Sequence, residues 1–235
     1  MSDSTIAYSP DPLYPVHRAS LEIGSGISSE VIAARGYRTE TTKAELGRLG
    51  FANTQRRVPA LLIPVWNISG QIATYQLRAD LPRVVNGKAI KYETPTRSRM
   101  VLDVPPSIRD KVLDVTVPLL ITEGVKKADA AVSRNIPCVA LLGVWNWRGT
   151  DDQGGKRLIA DFERIPWNGR TVYVVFDSDL LEKDAVAKAL LRLGRVLRES
   201  LKANVRVVRL PSDLSSLPGV PPIPPIPDPA EGEGA

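Results

Sequence analysis

Two apolar runs with no polar face predict the centre of the fold. Val117-Pro118-Leu119-Leu120-Ile121-Thr122 and Thr171-Val172-Tyr173-Val174-Val175-Phe176 are short, β-branched and followed by helical patterns. That combination marks strands buried on both faces of a parallel sheet. Residues 137–142 and 204–210 are read as two further strands of the same sheet. Val125–Arg134 is predicted to be a helix. A second helix, about residues 183–201, is the most regular element: Val186, Leu190, Leu193, Leu197 and Leu201 recur at spacings of four, three, four and four. These positions make one buried face, with Lys188, Arg192, Arg195 and Lys202 opposite. The expected class is α/β, a four-stranded, mainly parallel sheet flanked by helices.

The N-terminal half is patterned differently. Pro10, Pro12 and Pro15 among polar residues predict an extended leader over residues 1–20. Ser28 or Ser29 can cap a short helix that Gly36 ends, and Thr41 or Thr42 with Glu45 offers a capping box for a second helix up to Gly47. Residues 60–67 and 71–78 flank Ile68-Ser69-Gly70 and read as a β-hairpin, with a third strand expected around Ala89–Tyr92 after the Asn86-Gly87 turn. From Pro211 onward eight prolines fall in the final 25 residues, which predicts a disordered, partly polyproline-II tail. The expected division is a leader over 1–20, a basic α+β lobe over 21–110, an α/β domain over 111–210 and the tail over 211–235.

Composition narrows the chemistry. The 235 residues are 43% apolar and 24% charged, ordinary for a globular protein, with a net charge of +5. The charge is uneven: between Arg35 and Arg99 twelve Lys/Arg stand against four Asp/Glu, so the remainder sums to −3. The excess permits a polyanionic partner at the basic lobe without demanding one, a solvated basic face being the alternative. The single cysteine, Cys138, excludes an intramolecular disulfide and a multi-cysteine zinc site, and its apolar neighbours predict a core position. His17 is the sole histidine, which excludes mechanisms built on a His pair. No apolar run approaches the ~20 residues of a membrane span, and the N-terminus is polar, so a cytoplasmic protein with no membrane partner is expected.

The two central strands each deliver acid, Glu123-Gly124 after the first and Asp177-Ser178-Asp179 after the second. Ligands of open α/β sheets bind at the carboxyl ends of the strands. Side chains two apart on a strand share a direction, so Asp177 and Asp179 can face one site, which Glu123 joins if the strands are neighbours. Three clustered carboxylates repel without a cation, and hard oxygen ligands suit Mg²⁺, with Mn²⁺ as the alternative. Lys126 and Lys127 fall in the first turn of the helix after Glu123-Gly124, where an anion also meets unpaired N–H groups. Trp145 and Trp147, beside Arg148, either stack on a base or seal their loop onto the core.

These residues carry a resemblance. A strand ending in Glu123-Gly124, a helix, and a strand ending in Asp177-Ser178-Asp179 resembles the Toprim domain of primases, topoisomerases and certain nucleases. Ile121 to Ala130, Leu141 to Trp147 and Phe176 to Asp179 resemble more closely the Toprim-like domain of plasmid and phage replication proteins. The preceding lobe, a hairpin ending in Arg78 and a Lys91-Tyr92-x-x-Pro95 segment, is similar to the basic lobe of bacterial replicative primases. The resemblance spans roughly residues 58–209; it lacks the Cys and His of a primase zinc ribbon and a further Asp-containing segment after the last strand. It implies Mg²⁺-dependent phosphoryl transfer on DNA or RNA. Asp177 and Asp179 would hold metal, with Glu123 as general acid/base or further ligand. Arg78, Lys91 and Arg97 would contact the backbone of a single-stranded template. A helicase or another replication protein is the implied partner. Two other classes stay open, a non-catalytic DNA-binding module and a nuclease. An aspartyl-phosphate phosphatase using Asp177-Ser178-Asp179 is disfavoured by the short chain beyond it.

Overall fold

The computed structural model describes residues 11–150, 156–176 and 184–209. Asp177, Asp179, the start of the last predicted helix and the 211–235 tail lie outside the described residues. In chain order the elements are α1 (Pro15–Ser25), α2 (Ser29–Arg35), β1 (Arg38–Glu40), α3 (Lys43–Arg48), β2 (Ala60–Trp66), β3 (Ile72–Ala79), β4 (Val84–Val85), β5 (Lys88–Ala89) and β6 (Leu102–Asp103). There follow α4 (Arg109–Leu113), β7 (Leu119–Glu123), α5 (Val125–Val132), β8 (Cys138–Leu141), β9 (Arg148–Thr150), β10 (Lys156–Leu158), β11 (Thr171–Phe176), α6 (Asp184–Glu199) and β12 (Asn204–Arg209).

The four apolar runs form one sheet in the order β12-β11-β7-β8-β6. β12, β11, β7 and β8 are mutually parallel, with Val174 opposite both Ile121 and Val207. The sheet has five strands rather than the expected four, because Leu102–Asp103 pairs antiparallel with β8 at one edge. Two residues are too few to show any periodicity in a sequence. Right-handed crossovers place α5 on one face of the sheet and α6 on the other. Accordingly α1 and α2 pack on α5, while Leu190, Leu193 and Leu197 of α6 join Val172, Val174 and Phe176 in the main core.

Several local expectations are corrected. The expected leader is helical from Pro15 onward, since proline at the first helical position loses no hydrogen bond and Gly26 ends the helix in the left-handed region. Ser28 caps α2 through the Val31 N–H as read from sequence, but the capping box on α3 does not form. Glu40 accepts instead from the N–H of Thr41 and Thr42 and from the Thr42 hydroxyl, and Glu45 pairs with Arg38 and Arg48. The hairpin β2–β3 is present, yet its third strand is β1, on the far side of β2. The segment around Ala89 folds back on Val84–Val85 through Asn86-Gly87, both at positive φ, and returns to the hairpin at a single bridge between Leu77 and Glu93.

Alternation along the hairpin decides what each face does. Ala60, Leu62 and Leu77 pack with Leu46 and Phe51 in a small separate core. Leu61, Ile63 and Val65 point the other way, into the main core. Their cross-strand partners Arg78, Gln76 and Thr74 therefore line the side of the hairpin that faces the parallel sheet.

The junction between lobe and sheet is ionic and dry. Arg35, from the last turn of α2, donates Nε to Asp129 of α5 at 2.8 Å and Nη2 to Asp103 of β6 at 2.9 Å, with further bonds from Nη1 to Asp103 and Nη2 to Asp129. All three side chains are fully buried. The Tyr37 hydroxyl donates to Asp129 at 2.7 Å, and Asp103 also accepts the Trp66 N–H at the β2 bulge. Burial pushes the Asp103 carboxyl up, a rise that the Arg35 charge limits. A second buried arginine, Arg170, donates to the carbonyls of Val117, Val112 and Lys111, fixing the approach to β7 against the start of β11. Among the described residues no helix is long and apolar enough to cross a membrane.

Removing one partner of a buried ion cluster strands the others without compensation, at about 3–5 kcal/mol. Arg35→Met is therefore expected to lower the unfolding free energy by that order in urea titration. Arg35→Lys is expected to recover little, because one ammonium cannot serve two carboxylates in the plane of the guanidinium fork.

Candidate functional site

The parallel strands converge on a cavity at their carboxyl edge. β7 ends at Glu123, whose register partner is Leu141, and the Gly124 N–H continues the ladder to the Leu141 carbonyl at 2.8 Å. Gly124 then takes φ +94, a left-handed value that glycine adopts without strain, and turns the chain directly into α5. The turn leaves the first N–H groups of α5 at the same edge as the Glu123 carboxylate.

The cavity measures about 640 Å³. From the sheet it is lined by Glu123, Gly124, Lys126 and Lys127; from the N-terminal lobe it is lined by Gln76, Lys91 and Tyr92. Four expected site residues thus meet at one place, Glu123, Lys91, Lys126 and Lys127. Arg78 stands nearby: its guanidinium lies 5.8 Å from the Tyr92 ring centre, and its charge acts on Lys126. A smaller pocket of about 120 Å³ continues past Gln76, Tyr92 and Leu142 to Ser98, Arg99 and Asn146. The two make one groove between the hairpin and the sheet, because they share those three residues.

Lys126 carries the perturbed charge of this site. Burial, and then the Arg78 charge, pull its amine down from 10.5 to about 8. Its Nζ also lies 3.4 Å from the Ser20 carbonyl of α1. Gln76 is buried and lines both parts of the groove.

Other expected residues fall elsewhere. Arg97 is exposed at φ +67 and lines neither pocket; Arg99 takes the place nearer the groove. Trp145 does not line the cavity beside Glu123. It packs on the core with Arg148 4.0 Å above its ring, and Trp147 is buried. Both therefore seal their loop. Gln76 and Tyr92 were missed by sequence reading, although Gln76 lies two residues before Arg78 on the same strand face and Tyr92 directly follows Lys91.

Asp177 and Asp179 lie outside the described residues, and among the described residues no group of three His, Cys, Asp or Glu gathers to hold a metal. The strand that leads to them is β11, hydrogen-bonded to β7 with Val175 opposite Thr122. The paired register runs as far as Val175 and Thr122, one residue short of Phe176 and Glu123, so β11 and β7 reach the same edge of the sheet.

A mixed, mostly parallel five-stranded sheet with a basic hairpin across its carboxyl edge is a fold that solved structures share. Among solved structures, the DnaG catalytic core superposes with a TM-score of 0.57 at 19% identity, covering 86% of this chain and 66% of that one. The DnaG primase catalytic domain bound to single-stranded DNA gives 0.53 at 20% identity over 85% and 67%. The Aquifex aeolicus primase, with its zinc-binding and RNA polymerase domains, gives 0.54 at 17% over 84% and 50%. The chain shares the fold of these primase cores and spans half to two thirds of their length. Residues 110–219 match the family model described as Domain of unknown function (DUF3854). No curated protein matches the chain in sequence.

The folded-state value of Lys126 lies below its unfolded one, so its charge destabilises the fold; that penalty is fully present below pH about 8 and fades as pH rises toward 10.5. Carbon-13 NMR of the reductively methylated protein is expected to show one lysine titrating near 8, lost in Lys126→Met and moved upward in Arg78→Ala.

Proposed function

We propose that the chain is a primase-like nucleotidyl transferase of Toprim type acting in plasmid or phage DNA replication, in the cytoplasm. The observation that carries the reading is the single cavity that joins Glu123 to Lys91, Lys126 and Lys127, at the edge where β11 leads to Asp177. The fold shared with primase cores supports it, as does the basic excess of the lobe.

In this reading Lys91 and Arg78 track the phosphates of a single-stranded template along the groove, joined by Arg97 at its outer end. Gln76 offers its amide to the nucleotide held there, and Lys126 and Lys127 receive phosphate at the start of α5. Glu123, Asp177 and Asp179 are the hard oxygen donors that would hold Mg²⁺, or Mn²⁺ in its place, and a bound ion would there neutralise charge on phosphate oxygens. Glu123, directly exposed to the cavity, moves the proton of the attacking hydroxyl. Trp145 contributes by holding the loop after β8 rather than by stacking on a base. A helicase or other replication protein is the partner in this reading.

The test is incubation with labelled single-stranded template, nucleotides and Mg²⁺ or Mn²⁺. Extension is expected, reduced about 10²-fold or more by Glu123→Gln or by Asp177→Asn with template binding retained. Cleavage without extension would instead identify a nuclease. Retention of the label regardless of metal or acids would identify a binding module. Template affinity is expected to weaken as pH rises through about 8, where Lys126 loses its proton, and to lose that dependence in Lys126→Gln.

A further inference from the structure

A second basic cavity, of about 520 Å³, lies between α6 and the β9–β10 hairpin. Arg148, Arg157, Arg192 and Arg195 line it, and Glu163 is the one acid that lines it among the described residues. It shares no residue with the cavity at Glu123, and α6 packs on the face of the sheet opposite α5.

The arginines come from two sources that the fold brings together. Arg192 and Arg195 are three apart on the exposed side of α6, which places them as neighbours on one helix face. Arg148 enters from β9 and is held between two indoles, 4.0 Å from the Trp145 ring centre and 5.3 Å from that of Trp147. Arg192 lies 5.9 Å from the same Trp145 ring. Guanidinium groups held over aromatic rings lose little further freedom when they bind, and their planar donor forks match phosphate oxygens.

Two donors of the residues that line the cavity have no acceptor. Trp147 Nε1 and Arg148 Nε are buried with no hydrogen-bond partner among the described residues. Four guanidinium charges surround one space; Arg195 also lies 3.9 Å from the exposed Glu199, a pairing that offsets little of the excess, so the cavity attracts an anion. Arginine keeps its charge throughout the physiological range, so this attraction persists at pH values where the Lys126 ammonium is being lost.

We infer that this cavity is a second phosphate-binding site, which takes the phosphate groups of a free nucleotide or of a nucleic-acid strand. Only the strand source rests on the function proposed above. The site is separate from the carboxylate edge, so it anchors a ligand without taking part in catalysis.

The test measures two ligands on the full chain, sodium tripolyphosphate and a fluorescein-labelled single strand, with tryptophan emission as a local readout from Trp145 and Trp147. Arg192→Gln/Arg195→Gln changes exposed side chains, and an unchanged melting curve verifies its fold. The double variant is expected to weaken at least one ligand by about tenfold or more. For the strand it should also flatten the salt dependence by roughly 0.7 in log–log slope per phosphate lost. Loss confined to tripolyphosphate assigns the site to free nucleotide, and loss of the strand assigns it to the backbone. Both ligands binding the double variant within about twofold of wild type, or neither binding the wild type, would overturn the inference. Lys91→Ala/Lys126→Gln is the control at the other cavity. If the proposed catalysis fails while tripolyphosphate binding is still lost with Arg192 and Arg195, the second site stands alone.

Discussion

A guanidinium taken out of water is costly unless its donors meet acceptors, and Arg35 meets that requirement with two carboxylates far from it in sequence. Asp103 belongs to the antiparallel edge strand and Asp129 to the helix that follows Glu123. Through them the N-terminal lobe is tied to the sheet behind the carboxyl edge of its strands. The hairpin is held over that edge for the same reason: Asp103 also closes the backbone at the β2 bulge, and the Arg35 carbonyl accepts the Trp66 indole N–H. The groove is therefore a product of the ionic junction, since one of its walls comes from each side of it.

The two basic cavities use different cations. The one at Glu123 relies on lysines, and there burial and the Arg78 charge bring the Lys126 ammonium within reach of ordinary pH change. The one beside α6 relies on arginines over indole rings. A lysine in a crowded positive setting can give up its proton; an arginine in such a setting cannot. One molecule thus presents a cavity of tunable positive charge beside Glu123 and a cavity of permanent positive charge remote from it.

The strands of the parallel sheet, the hairpin, the last helix and the Glu123-Gly124 turn were legible because each rests on a local pattern of burial or on glycine stereochemistry. Arg35, Asp103 and Asp129 were not, since a charged residue at a helix end or strand reads as solvated unless its distant partners are known. Leu102–Asp103 was too short to announce itself as a strand. Pro15 suggested extension but starts a helix. Position relative to strand ends was enough to bring Glu123 and Lys126 to one cavity. Gln76 and Tyr92 join it only when the hairpin is laid over the sheet, and the Trp145 ring lies beneath the guanidinium groups of Arg148 and Arg192.

The buried Asp129 has a bearing on where this protein can be cut. Recognisable similarity to the DUF3854 family begins at residue 110, beyond Arg35, Tyr37 and Asp103. A fragment trimmed to that span would keep a buried carboxylate, that of Asp129, whose partners Arg35 and Tyr37 had been left behind. What evolution shows as a module and what physics requires as a folding unit do not share a border here, and the second is the larger.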